Sequence, residues 1–313
     1  MPLPHKQIDL MEKLRGLIAA PFSPMNEAGT LALEKIVDLV RLYEKNNVRG
    51  AFICGSTGEG VSLSFEEKKQ VIEAWGREKG EQVKALFMLG GTSLKEMQAL
   101  ALHAQTHGLD GTAVLCPYYF KPKTVAELVA FCKDIAASTP SLPFYYYHIP
   151  ALTGGHFSML EFLKLAEDQI PNLAGIKYTH PNIMEFHACT RFKNGKYDLL
   201  WGIDEGLLSG LAIGAKGAVG STYNYAAPLY HQIIEAFERG DMASAEALQF
   251  KAVQMVELLV KYGGTGAGKA FMKLIGLDCG WFRAPVASPD ETALPHLRAE
   301  LEALGFFEFC SKI

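Results

Sequence analysis

The chain has 313 residues, of which 49% are apolar and 20% charged, the make-up of a globular protein rather than a disordered or fibrous one. Thirty Lys+Arg stand against 34 Asp+Glu, a formal net charge of −4, and no basic run supplies the cationic field that nucleic acid or an anionic membrane surface would need. Six cysteines without CxxC spacing, a start (MPLPHKQIDLMEKL) without an apolar signal core, and no apolar run near the roughly 18 residues of a membrane span point to a reduced, cytoplasmic protein without disulfides.

In chain order, short apolar, β-branched or aromatic runs alternate with amphipathic segments, which is the βα pattern. The runs are GLIAAPF (16–22), GAFICG (50–55), VKALFMLGG (83–91) and GTAVLCP (111–117), then LPFYYYHIP (142–150), LAGIKYT (173–179), YDLLWGID (197–204) and GAVGSTY (217–223). Between them lie helix signals. Ser64 precedes FEEKKQVIEAW, with Glu67 at the capping-box position. Residues 94–107 read as a helix closed by Gly108, and Thr124 precedes VAELVAFCKDIAAS. The runs are continuously apolar, as strands buried on both faces should be. Eight such units predict a (β/α)8 TIM barrel. A doubly wound open sheet is the alternative, although it normally uses fewer strands and carries a different nucleotide signature.

The eight units are complete near Gly240. Residues 1–240 therefore read as the barrel with the active site. Residues 241–313 read as a C-terminal helical extension packed on it, with helices at 241–261, 268–277 and 294–304. Length alone suggests about two domains, but α/β barrels often use this much chain in one, and no low-complexity linker separates the extension.

In a barrel of this type, chemistry sits at the C-terminal ends of the strands. Lys177 stands out there. Lys84 and Lys216 lie at strand starts, and most other lysines fall on helices or loops; Lys177 sits late in an apolar strand. Desolvation favours the neutral, nucleophilic form of an amine, which suits Schiff-base chemistry with a ketone. A lysine paired with a carboxylate at a strand end is the equal alternative. Tyr147 is a candidate proton relay, but packing is the commoner role of a strand aromatic. Ser56 and Thr57 lie in a Gly-bounded turn that could hold a small carboxylate, or simply close on itself. Asp204 and Glu205 could accept hydrogen bonds from sugar hydroxyls, or serve as acids in the first turn of a helix.

Two near-motifs are set aside. Residues 263–270 (GGTGAGKA) resemble a P-loop, but Ala270 replaces the Ser/Thr needed for magnesium and no strand precedes the loop. His103 and His107 have the i, i+4 spacing of HExxH without its glutamate. They read as solvated histidines on an outer helix rather than a zinc site. No other cluster has metal spacing, so no metal is expected.

Four motifs in order carry a family resemblance: GSTGE (55–59), YYYHIPALTG (145–154), GIKYT (175–179) and GAVGSTYN (217–224). Together they resemble the N-acetylneuraminate lyase and dihydrodipicolinate synthase superfamily of pyruvate-dependent class I aldolases, over nearly the whole chain. YYYHIPALTG and WGIDE (201–205) resemble the sialic acid lyases in particular. Synthases typically carry an Arg where Leu152 stands. The resemblance implies that Lys177 forms the Schiff base and Tyr147 moves protons. It implies that Ser56 and Thr57 bind the pyruvyl carboxylate, and that Thr179, Gly202, Asp204, Glu205 and Ser221 hold the acyl-sugar portion. Tyr119 is similar, more loosely, to a tyrosine that reaches across a subunit interface. Sialic acid would be cleaved to N-acetylmannosamine and pyruvate by a homotetramer, without metal or organic cofactor. Rival readings are another aldolase of the superfamily, such as a 2-keto-3-deoxy sugar acid aldolase or a dihydrodipicolinate synthase, and a barrel that binds a keto acid without turnover.

Overall fold

A computed structural model describes residues 13–313. Eight strands run parallel and close into a barrel in sequence order. They are β1 (Gly16–Ala19), β2 (Gly50–Ile53), β3 (Lys84–Met88), β4 (Gly111–Leu115), β5 (Phe144–His148), β6 (Leu173–Tyr178), β7 (Asp198–Trp201) and β8 (Gly217–Gly220). β8 returns to β1 in register, Gly16 opposite Gly217 and Ala19 opposite Gly220. The fold is the (β/α)8 TIM barrel expected from the eight runs.

Helices α1 (Ile36–Lys45), α2 (Phe65–Glu78), α3 (Leu94–Thr106) and α4 (Val125–Ala136) follow the first four strands. A short α5 (Pro150–Thr153) and α6 (Met159–Ala166) follow β5, and α7 (Ile183–Arg191), α8 (Leu207–Ala212) and α9 (Tyr223–Glu238) complete the ring. Local chemistry sets their starts. Ser64 and Glu67 form the reciprocal capping box of α2, and Thr124 accepts from the Glu127 amide at the start of α4. Gly108 takes a left-handed φ of 71° just beyond α3. Tyr223, read as strand from its apolar run, instead opens α9.

Alternation along the strands divides the apolar residues into two layers. One faces the helices and includes Phe87, Phe144, Ile176 and Trp201. The other fills the barrel interior with Ile18, Phe52, Leu86, Met88, Tyr145, Tyr147, Leu200 and Val219. This interior is a packed core, as such barrels require.

After α9 come α10 (Met242–Lys261), α11 (Gly268–Leu274), α12 (Ala293–Leu304) and a single turn α13 (Phe306–Phe309). Phe271 and Phe306 stack with Tyr225 of α9 at 4.9 and 6.3 Å. The Ser311 amide donates to the Tyr225 carbonyl, and Asn46, the C-cap of α1, exchanges two hydrogen bonds with Lys312, at 2.8 and 2.9 Å. No helix among the described residues is long and apolar enough to cross a membrane.

At the barrel floor, Asp198 accepts from the Leu14 amide at 2.9 Å and the Tyr145 hydroxyl at 3.1 Å. Burial nevertheless pushes its carboxyl up to about 6, against about 3.9 in an unfolded chain. The native state therefore holds this proton more tightly. Stability from Asp198 falls as pH rises from about 4 to about 6, by about 3 kcal/mol in total, and stays at its low value above. Asp198→Asn keeps an acceptor for Leu14 and Tyr145 but does not titrate. Unfolding midpoints of both proteins at pH 4.5 and 7 check this: the wild type should lose more stability than the variant on going to pH 7.

Candidate active site at the barrel mouth

Lys177 on β6 lies level with Tyr147 of β5 and Leu200 of β7. It is 4% exposed. Its Nζ sits 4.1 Å from the centre of the Tyr147 ring and 4.3 Å from that of Phe52, and those two rings meet edge to face at 5.5 Å. Among the described residues, Lys177 makes no ion pair. The carboxylate-paired alternative is thus not what the structure shows. Ring faces hold the amine instead, an interaction worth about 0.5–2 kcal/mol to a cation. They cannot accept its protons as a carboxylate would. The result is a desolvated primary amine beside a phenol, which can form an imine with a ketone.

The turn after β2 has an unusual backbone. Cys54 and Glu59 both adopt φ of 56°, a conformation that costs a residue with a side chain about 1–2 kcal/mol. A Cβ on Gly60 would lie 1.8 Å from the Cys54 carbonyl oxygen, so the turn closes only with glycine there. The Glu59 amide donates to the Ser56 carbonyl and the Gly60 amide to that of Gly55, both at 3.2 Å. Ser56 is half-buried and Thr57 buried. Thr57 and Ser221 line one small pocket with Phe22 and Thr265.

This strained turn is tied to the C-terminal helices. Glu59 forms a 2.7 Å ion pair with Lys269, both buried. Its other oxygen accepts from the Arg283 amide at 2.7 Å, and Lys269 also donates to the Trp281 carbonyl at 2.9 Å. Burial pushes the Lys269 ammonium down, with Glu59 opposing the shift. The Arg283 guanidinium meets both oxygens of Glu67 at 2.5 and 2.9 Å, and those hydrogen bonds hold the Glu67 carboxyl down to about 2. Lys269 is thus spoken for, and a Cβ on Gly268 would strike the Phe22 ring at 2.5 Å. The P-loop-like stretch is a packing element.

On the far side of the mouth, Thr179 follows β6 with its hydroxyl buried and unpartnered. A Cβ on Gly202 would lie 2.1 Å from that hydroxyl oxygen. Asp204 begins a single 3-10 turn, and one of its oxygens accepts from both the amide and hydroxyl of Thr222, at 2.9 and 2.7 Å. Burial pushes its carboxyl up to about 6, against the Thr222 hydrogen bonds and, more weakly, the nearby charge of Lys177. Glu205 is exposed and Ser221 half-buried. Tyr119 is 78% exposed and packs edge-on against Phe120, outside the buried cluster of Lys177, Tyr147 and Phe52. A larger cavity, about 370 Å³, opens at the opposite end among Lys13, Arg191, Asp198 and Lys216. Barrels of this type do not carry chemistry at that end.

Phe52, Thr222 and Lys269 escape the sequence reading. Alternation in GAFICG could have turned Phe52 inward, and the apolar surroundings of Lys269 mark it as buried.

The family model for the dihydrodipicolinate synthetase family matches residues 13–304. The chain belongs to the dihydrodipicolinate synthetase family. It is 40% identical over 305 residues to N-acetylneuraminate lyase of Rattus norvegicus, covering 95% of each chain. A solved structure of the Proteus mirabilis N-acetylneuraminate lyase superposes with TM-score 0.91 at 41% identity, covering 94% of this chain and 99% of that one. The Aquifex aeolicus dihydrodipicolinate synthase structure gives 0.85 at 25% identity, with 94% and 99% covered. As a member of this family the chain is an enzyme, a pyruvate-dependent Schiff-base aldolase.

The ion pair of Glu59 with Lys269 sets a prediction for the family turn. Lys269→Met leaves a buried glutamate without its counter-charge and should cost about 3–5 kcal/mol. Adding Glu59→Gln should restore part of the loss. Denaturant unfolding of the single and double variants checks both signs.

Proposed function

We propose that the enzyme is a sialic acid aldolase, cleaving N-acetylneuraminate reversibly to N-acetylmannosamine and pyruvate. The observation that carries the reading is Lys177, buried against Tyr147 and Phe52 without an anionic partner, in a chain 40% identical to a lyase of that name over 95% of its length. In this reading the Lys177 amine attacks the ketone and water leaves, giving an iminium. Tyr147 relays protons as the C3–C4 bond breaks: its oxygen accepts the proton of the sugar's C4 hydroxyl while its own phenolic proton passes on towards C3. The bonding pair moves into the iminium and leaves an enamine instead of a bare carbanion. Protonation at C3 and hydrolysis then release pyruvate and the free amine.

Ser56 and Thr57 hold the keto acid's carboxylate, with their hydroxyls and the amides of the turn as donors. Thr179, Gly202, Asp204, Glu205 and Ser221 receive the acylated sugar. The unpartnered Thr179 hydroxyl supports this, since a buried hydroxyl without a partner gains most from a ligand that supplies one. Asp204 has one oxygen committed to Thr222, and its other accepts from no protein donor among the described residues. Leu152 stands where the synthases place Arg, so a dicarboxylic imine would find no bidentate partner there. The enzyme acts as a homotetramer, and Tyr119 serves the site of a neighbouring copy. Exposed Tyr119, Phe120, Leu152 and Met184, on the segments after β4, β5 and β6, support a face for that copy. No nucleic acid, membrane or cofactor is required, and the protein works in the cytoplasm.

Purified protein given N-acetylneuraminate with chelator present should release pyruvate. No release, with pyruvate still trapped on Lys177 by borohydride, would instead indicate an aldolase for another keto acid. Failure of both would leave a binding barrel. Lys177→Ala should lower kcat at least about 10³-fold. Asp204→Ala removes the Thr222 contact as well as the sugar contact, so Asp204→Asn is the cleaner test. It should reduce turnover of N-acetylneuraminate far more than borohydride trapping of pyruvate; equal losses would count against polyol binding.

A further inference from the structure

His103 lies in the last turn of α3 and His107 caps its C-terminus, and their rings approach to 4.2 Å between centres. Sequence spacing gives them no third ligand. The fold does: α2 lies against α3 so closely that a Cβ on Gly76 would fall 2.2 Å from the His107 carbonyl oxygen. This contact brings Glu73, one turn before Gly76, beside the pair. Glu73 Oε1 is 2.9 Å from His103 Nε2. One ligand atom from each of Glu73, His103 and His107 lies within 4.8 Å of the other two. All three residues are half-buried. Among the described residues, Glu73 has no ion pair with Lys or Arg.

We propose that Glu73, His103 and His107 form a site for a divalent first-row transition ion, bridging α2 and α3 on the outside of the barrel. Two imidazoles and one carboxylate are a ligand set that zinc, nickel and copper ions accept, with the remaining positions open to water. The hydrogen bonding around the ligands fits as well. His107 Nδ1 lies 2.9 Å from the His103 carbonyl oxygen, so it carries the hydrogen and leaves the Nε2 lone pair for a metal. A ligating histidine is normally oriented by a hydrogen bond of this kind. A metal between the two nitrogens and the carboxylate replaces the single His103–Glu73 hydrogen bond with three bonds spanning two helices. The ion would act on stability, not on the reaction, because both helices belong to the outer ring.

The test is calorimetric titration of the chelator-stripped full-length protein with zinc chloride, then with nickel chloride, alongside His103→Ala, His107→Ala and the double variant. One ion per chain is expected. A single ligand loss should weaken affinity by about tenfold or more, since even an orienting contact is worth about 10- to 100-fold. Saturating zinc should raise the unfolding temperature of the wild type and not that of the double variant. Glu73→Gln, which keeps the hydrogen bond to His103 but loses the charge, should also bind more weakly and controls for folding. Equal stoichiometry and affinity in the wild type and double variant would overturn the proposal, as would no saturable binding up to millimolar zinc.

Discussion

Closure of eight parallel strands is the constraint on which the rest of this molecule depends. Once β8 pairs with β1, every second side chain must enter an interior of fixed girth. Four-residue strands such as β1, β2, β7 and β8 supply only one or two inward positions each. The interior therefore has room for a few large groups, and these settle one another's positions. Phe52 and Tyr147 occupy it from β2 and β5, and Lys177 from β6 is left the space over their faces. A carboxylate at that level would pair with the amine. The barrel supplies rings instead, so closure itself produces a desolvated amine beside a phenol.

The C-terminal helices brace this arrangement. Taking a glutamate and a lysine out of water is expensive, and a buried pair seldom stabilises a fold more than apolar residues of the same shape would. Its value lies in fixing one geometry. Glu59 stands in a left-handed conformation in the turn that presents Ser56 and Thr57. Lys269 and the Arg283 amide arrive from more than two hundred residues away to satisfy both its oxygens. A second brace acts on the opposite rim: Gln249 of α10 accepts from the Leu208 amide at 2.8 Å and reaches the Asp204 carbonyl at 3.5 Å. Both lips of the mouth are thus held by the extension rather than by the barrel alone.

Local rules explain what could be read from sequence. Continuous apolar runs marked all eight strands because parallel strands are buried on both faces, and the Ser64–Glu67 box marked a helix start because its hydrogen bonds span only three residues. Lys177 was visible because an apolar strand with a late lysine is anomalous by itself. What could not be read was partnership at long range. Nothing near Lys269 names Glu59, and nothing in the His103–His107 helix names Glu73, which α2 delivers only after the two helices have packed. Asp204 reads from sequence as an acceptor for sugar hydroxyls or as an acid in a helix's first turn; it does open a 3-10 turn, but its bond to Thr222 at the end of β8 is not legible there. Tyr119 shows the converse limit. Its resemblance is the loosest of the set, and in the structure it is exposed.

Two glycines at the mouth show how shape and polarity are set together. Gly202 gives the Thr179 hydroxyl its space, and a Cβ on Gly220 would lie 2.1 Å from an Asp204 carboxylate oxygen. Alanine at either place would push a polar group out of the position it holds. Small residues here maintain hydrogen-bonding capacity at a depth where water is scarce, and groups so placed are satisfied best by a ligand that brings hydroxyls. A short keto acid held at Lys177 does not by itself explain why polar groups line the rim beyond it. In the proposed reading a longer, hydroxyl-bearing chain meets them, and Leu152, which carries no positive charge, is compatible with it. The rim thus carries the specificity argument, while the amine and phenol beneath it would serve any keto acid that reached them.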